Sequence, residues 1–94
     1  MAQVVVNVTN ADACDRVEIF VDGVSCGRKM GNGTFTFCVT DGSHVIHGIY
    51  DNVEDDYYGI THRLDPISFR ATGATQKFEA RISNICSGGR LKML

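Results

Sequence analysis

Polar and apolar residues alternate with a period of two along most of the chain. Val4, Val6 and Val8 are interleaved with Val5, Asn7 and Thr9, and Val17, Ile19 and Val21 with Arg16, Glu18, Phe20 and Asp22. Phe35, Phe37 and Val39 alternate with Thr34, Thr36, Cys38 and Thr40, and Phe78, Ala80 and Ile82 with Lys77, Glu79, Arg81 and Ser83. Successive side chains of a strand point to opposite faces, so each run predicts a strand with one face buried. The β-branched and aromatic enrichment agrees, and no stretch carries the i, i+3, i+4, i+7 stripe of an amphipathic helix. Strands are expected over 3–9, 16–22, 24–30, 34–40, 43–50, 66–72 and 76–83, with no long helix. About seven short strands with turns every eight to twelve residues or so predict an all-β fold, a two-sheet antiparallel β-sandwich.

Glycines punctuate the pattern. Asp22-Gly23, Gly31-Asn32-Gly33, Asp41-Gly42 and Gly73 lie between alternating segments and supply the positive φ of tight turns. If Asp22-Gly23 is a two-residue hairpin turn, Val21 faces Val24 and Ile19 faces Cys26, which places Cys26 in the core. The same rule at Asp41-Gly42 sets Cys38 opposite Val45 and Thr36 opposite His47. Phe20, Cys38, Val45 and Ile49 then share outer faces that are more apolar than a solvated surface requires, which marks them as an interaction face. Pro66 is expected at the mouth of a strand, where a missing N–H does least harm.

The stretch Val17-Glu18-Ile19-Phe20-Val21-Asp22-Gly23, then Gly27, then Gly42-Ser43-His44-Val45-Ile46 resembles the PEGA-type module: an alternating strand ending in Asp-Gly, a return strand with a glycine, and a hairpin opened by Gly-x-His. The likeness covers residues 17–50 and departs from the family at Met30-Gly31-Asn32-Gly33, where the family tends to place proline. It implies a small immunoglobulin-like or prealbumin-like sandwich used for binding or as a structural appendage, with no catalytic residues.

At 94 residues and net charge −2 the chain has room for one domain, taken as residues 1–86 with a tail at 87–94 that leaves the alternating pattern. That tail is expected either to fray or to dock through Leu91, Met93 and Leu94. A chain of this size buries roughly 64% of its unfolded surface, too little for an enclosed active-site cavern. The acidic balance offers nucleic acid no electrostatic footprint, and no apolar run is long enough to span a membrane. The start of the chain does not resemble a secretory signal, which favours a cytoplasmic setting and leaves an exported mature form open. Gly-x-Ser-x-Gly, His-Glu-x-x-His, P-loop and complete dinucleotide motifs are missing, so neither an enzyme nor a cofactor is expected. The Asn-x-Thr sequons at Asn7 and Asn32 matter only for a secreted eukaryotic chain.

Candidate chemistry is sparse. Cys14, Cys26, Cys38 and Cys86 are too widely spaced for the paired ligands of a structural zinc site, so no metal is assigned to them. Cys14, in a polar loop, is expected to be the most reactive thiol. His44 and His47, three apart on a strand, point to opposite faces and cannot share an ion, whereas His47 lies diagonal to Cys38 in the proposed hairpin, a weak candidate for a catalytic pair. The densest polar cluster, Asp51, Glu54, Asp55, Asp56, Tyr57 and Tyr58, supports an alternative function in which this loop takes calcium or a sugar. Charge is shared unevenly: residues 1–69 hold four basic and ten acidic side chains, and residues 70–94 five basic and one acidic. Such asymmetry suits contact with an acidic partner or another copy. The expected function is a non-enzymatic binding or protein-interaction module acting through an outer sheet face or edge strand, with a protein partner or a homodimer the expected association.

Overall fold

The computed structural model describes residues 1–53, 61–83 and 89–94. Eight strands follow in chain order: β1 (Ala2–Thr9), β2 (Asp15–Val21), β3 (Val24–Met30), β4 (Gly33–Val39), β5 (Gly42–Asn52), β6 (His62–Ala71), β7 (Gln76–Arg81) and β8 (Arg90–Met93). They form two four-stranded sheets packed as a β-sandwich, ordered β4-β1-β7-β8 and β3-β2-β5-β6. Neighbours run antiparallel except β1 and β7, which are parallel. No α-helix occurs among the described residues.

The alternation places the core where the sequence puts it. Val4, Val6 and Val8, Val17, Ile19 and Val21, and Phe78, Ala80 and Ile82 are buried between the sheets with Phe35, Ile46, Tyr50, Leu64 and Phe69. Phe69 of one sheet meets Phe78 of the other edge to face, 5.2 Å between ring centres, the arrangement their quadrupoles favour. Tyr50 spans the core and donates its hydroxyl proton to the Ser83 carbonyl at 2.8 Å, so the polar tip of the largest buried side chain is satisfied. An isolated bridge links the sheets where Leu64 pairs with Gly89. A β-carbon on Gly89 would lie 2.5 Å from the Arg81 carbonyl oxygen, so no larger residue fits that crossing without backbone movement.

Asp22 (φ 52°) and Gly23 (φ 81°) both lie in the left-handed region that a type I′ hairpin demands, and Val21 faces Val24 as expected. A bulge follows between Glu18 and Phe20, so Ile19 stands opposite both Cys26 and Gly27, and Cys26 is half-buried against the core. The hairpin expected at Asp41-Gly42 does not form. Only Gly42 of that pair has positive φ (117°), which is not the two-residue signature of a type I′ turn, and the chain there crosses from β4 in one sheet to β5 in the other. Gly31-Asn32-Gly33 likewise carries the chain between sheets, anchored where Asn32 Oδ1 accepts the Ala11 N–H at 2.8 Å and the Asp15 carbonyl accepts the Gly31 N–H at 2.7 Å.

Two further expectations are corrected. Pro66 lies inside β6 rather than at its mouth, because β6 is an edge strand and bulges there: Asp65 and Pro66 together stand opposite His47, so no ladder hydrogen bond is asked of the proline. Of the two expectations for the tail, docking holds, but as a strand within the sheet: Arg90–Met93 adds an edge strand that buries Leu91 against Ala80, while Met93 and Leu94 stay largely exposed.

Gly48, on the central strand β5, has no room for a side chain: a β-carbon would meet Leu64 Cδ1 at 2.8 Å and the Glu18 carbonyl oxygen at 2.9 Å. Gly48→Ala is therefore expected to destabilise the fold by about 1–3 kcal/mol through overpacking, read as a lowered midpoint in urea denaturation with an unchanged slope.

Candidate functional site on one outer sheet face

The outward residues of β2 and β5 are fixed by the same pleat that buries their neighbours. Because Val17, Ile19, Ile46 and Tyr50 point inward, Glu18, Phe20, Val45, His47, Ile49 and Asp51 point out. Register then sets the pairs: Phe20 opposite His47, Glu18 opposite Ile49, Arg16 opposite Asp51. Phe20 and His47 stack with ring centres 5.0 Å apart and planes within 9°. Ile49 flanks this stack, and the β6 bulge brings Pro66 up beside it to form a groove of about 470 Å³. Val45 extends the apolar surface at 40% exposure.

Charges of both signs surround this floor. Arg16 clamps Asp51 with two bonds, Nε to Oδ1 at 3.0 Å and Nη2 to Oδ2 at 2.5 Å. Glu18 accepts the Ser25 hydroxyl proton at 2.7 Å and lies 3.6 Å from Arg28. Arg63 and Asp65 border the groove on the β6 side. The face thus has an apolar centre and a rim of three arginines and three carboxylates.

Phe20, Val45 and Ile49 of the expected interaction face lie together here. Cys38 does not: β4 belongs to the other sheet, where Cys38 pairs with Gln3 and is exposed on the opposite side of the molecule. The Cys38–His47 pair falls for the same reason, since its diagonal contact depended on the Asp41-Gly42 hairpin. Of the acidic cluster, Asp51 has both carboxylate oxygens engaged by Arg16. Glu54, Asp55, Asp56, Tyr57 and Tyr58 lie outside the described residues, as does Cys86. No group of three or more metal-ligating side chains occurs among the described residues. No described helix is long and apolar enough to cross a membrane. No protein-family model, curated protein or solved structure matches the chain.

A second polar arrangement, at the end of the same sheet, escaped sequence reasoning. His44 and His47 do point to opposite faces, and His44 turns inward over the Phe69 ring, 5.7 Å between centres. Its Nδ1 contacts Asp22 Oδ2 at 2.6 Å and its Nε2 contacts the Thr40 carbonyl at 2.6 Å, while Asp22 Oδ1 accepts the Val45 N–H at 2.9 Å. Two acceptors on one imidazole call for a proton on each nitrogen. The hydrogen bonds to Asp22 and to the Thr40 carbonyl accordingly raise the His44 pKa, and those from His44 and the Val45 amide lower that of Asp22. Asp-Gly marked the turn in the sequence, but nothing there placed a histidine from β5 against it.

A histidine held above its ordinary pKa of 6.5 stabilises the fold fully below that pH, and the contribution disappears as pH rises through the elevated folded value. Asp22, held below 3.8, contributes above that pH and loses its contribution on acidification. The melting temperature of the parent is expected to fall relative to that of His44→Gln between about pH 6 and about pH 9. Parallel curves for the two proteins would mean that no imidazolium bridges Asp22 and Thr40.

The thiols rank differently from the sequence expectation. Cys14 is half-buried in its loop, where its carbonyl accepts the Val53 N–H at 2.9 Å, whereas Cys38 is exposed. Burial raises the pKa of Cys26. Brief alkylation followed by peptide mass spectrometry is expected to label Cys38 well before Cys26, because Cys38 is exposed while burial both shields the Cys26 thiol and holds it protonated.

Proposed function

We propose that the chain is a non-enzymatic protein-interaction module that pairs with a second copy of itself through the outer face of β3-β2-β5-β6. The observation that carries this reading is the contiguous apolar strip of Phe20, stacked on His47, with Ile49, Val45 and Pro66 on a sheet face that a free sandwich would cover with polar side chains. The rim favours a like partner. Arg16, Arg28 and Arg63 balance Glu18, Asp51 and Asp65, so two such faces can meet without net charge repulsion.

The strand order supports the prealbumin-like form of the sandwich over the immunoglobulin-like one. In the immunoglobulin constant-type order the first strand pairs with the second, whereas here β1 lies between β4 and β7. The PEGA-type resemblance over residues 17–50 points to the same kind of use, since its Asp-Gly strand and its Gly-x-His strand are β2 and β5, the two that build this face.

Sedimentation velocity on the parent and on Ile49→Asp tests the reading. The parent is expected to sediment as a dimer and Ile49→Asp as a folded monomer with an unchanged far-ultraviolet spectrum, because Ile49 faces outward. Val45→Asp, at a more exposed position of the same strip, is expected to weaken the dimer in the same direction. A parent that stays monomeric at about 1 mM, the range in which even weak contacts are populated, overturns the proposal.

A further inference from the structure

On the other sheet, β7 and β8 carry a different surface. The pleat that buries Phe78, Ala80 and Leu91 turns Lys77, Glu79, Arg81, Arg90 and Lys92 outward. In the antiparallel register Glu79 stands opposite Lys92, and Arg81 stands directly opposite Arg90. Directly opposed residues have β-carbons about 5 Å apart, and like charges so placed destabilise a sheet. Among the described residues no carboxylate pairs with Lys77, Arg81, Arg90 or Lys92. The one acid on the face, Glu79, accepts the Thr9 hydroxyl proton at 3.3 Å from the β1 side. The rest of this face, Gln3, Val5, Asn7 and Thr9 of β1 and Thr34, Thr36 and Cys38 of β4, holds no charge. A chain of net charge −2 therefore concentrates four cations against one anion on one surface, around a depression of about 370 Å³ between Arg81 and Lys92.

We propose that this β7–β8 face docks a carboxylate-rich segment of a partner protein. Two arginines side by side present guanidinium forks that match carboxylates, and Arg90 and Lys92, two residues apart on one strand, repeat at the spacing of alternate side chains in an extended peptide, about 6.8 Å. Charge complementarity selects this partner over a second copy, whose other outer face has a balanced rim. A single-stranded nucleic acid is the poorer fit, because among the described residues no aromatic side chain stands on this face to stack a base. The Arg81–Arg90 opposition is then a cost in the free protein that the incoming carboxylates relieve.

Fluorescence anisotropy with a labelled Glu/Asp-rich peptide of about ten residues, against a lysine-rich peptide and an oligo-dT of like length, tests the site. The acidic peptide is expected to bind and to weaken as salt is raised from about 50 mM to about 500 mM, and the other two probes to bind at least tenfold more weakly. Arg81→Glu is expected to weaken acidic-peptide binding about tenfold or more, while Arg70→Glu, an equal charge change on the other sheet, leaves it unaltered. Arg81→Glu also places opposite charges across the β7–β8 pair, so its melting temperature is expected to rise by about 1–6 °C even as binding is lost. A purely structural arginine would not separate stability from binding in that way. Oligo-dT binding as tight as the peptide's, equal losses in Arg81→Glu and Arg70→Glu, or a melting temperature that fails to rise would each overturn the proposal.

Discussion

A two-residue pleat with one side committed to the core governs everything else in this molecule. Once Ile46 and Tyr50 of β5 are buried, His47 and Ile49 have no choice but to face out, and once Val17 and Ile19 of β2 are buried, Phe20 joins them. Gly48 lets the two strands and Leu64 approach closely enough to keep that register. The apolar strip on one sheet and the basic strip on the other are the outward residue of the same alternation, read on opposite sides of one core.

Much of the fold was legible because periodicity and turn chemistry act locally. The inward sets of β1, β2 and β7 follow from their valines, isoleucines and alternating charges, and Asp22-Gly23 announces its hairpin through two residues that tolerate positive φ. A glycine turn, however, says that the chain bends and not which strand it will lie beside. At Gly31–Gly33 and again at Gly42 it bends into the opposite sheet. That ambiguity misplaced Cys38, which took its assigned neighbour from a hairpin that does not exist. β8 was hidden for a different reason: four residues, two of them basic, carry too little alternation to register until β7 lies alongside.

Of the two outer surfaces, the strip of Phe20, Val45 and Ile49 could be found from excess apolarity at outward positions, because that excess is itself a departure from the local pattern. His47 was visible as a residue but not as a stacking partner, and the His44–Asp22–Thr40 arrangement needed three separate segments to meet. The charge imbalance between residues 1–69 and 70–94 was plain in the sequence. Its meaning was not, since only the β7–β8 register sets Arg81 against Arg90. The two faces also differ in kind: one has a neutral rim around an apolar floor, and the other sets four cations against one anion beside mostly uncharged polar side chains.

The position of β1 also shapes how the chain comes together. In the β3-β2-β5-β6 sheet two of the three contacts, β2–β3 and β5–β6, join strands that follow each other in the chain, but β1 lies between β4 and β7, so its second partner arrives some seventy residues later. During synthesis the valine-rich first strand must wait, half-paired with β4 at best, until β7 has emerged. One hydrogen-bonding edge of an aggregation-prone segment stays open through that interval, and the parallel β1–β7 pair is the contact that finally closes it.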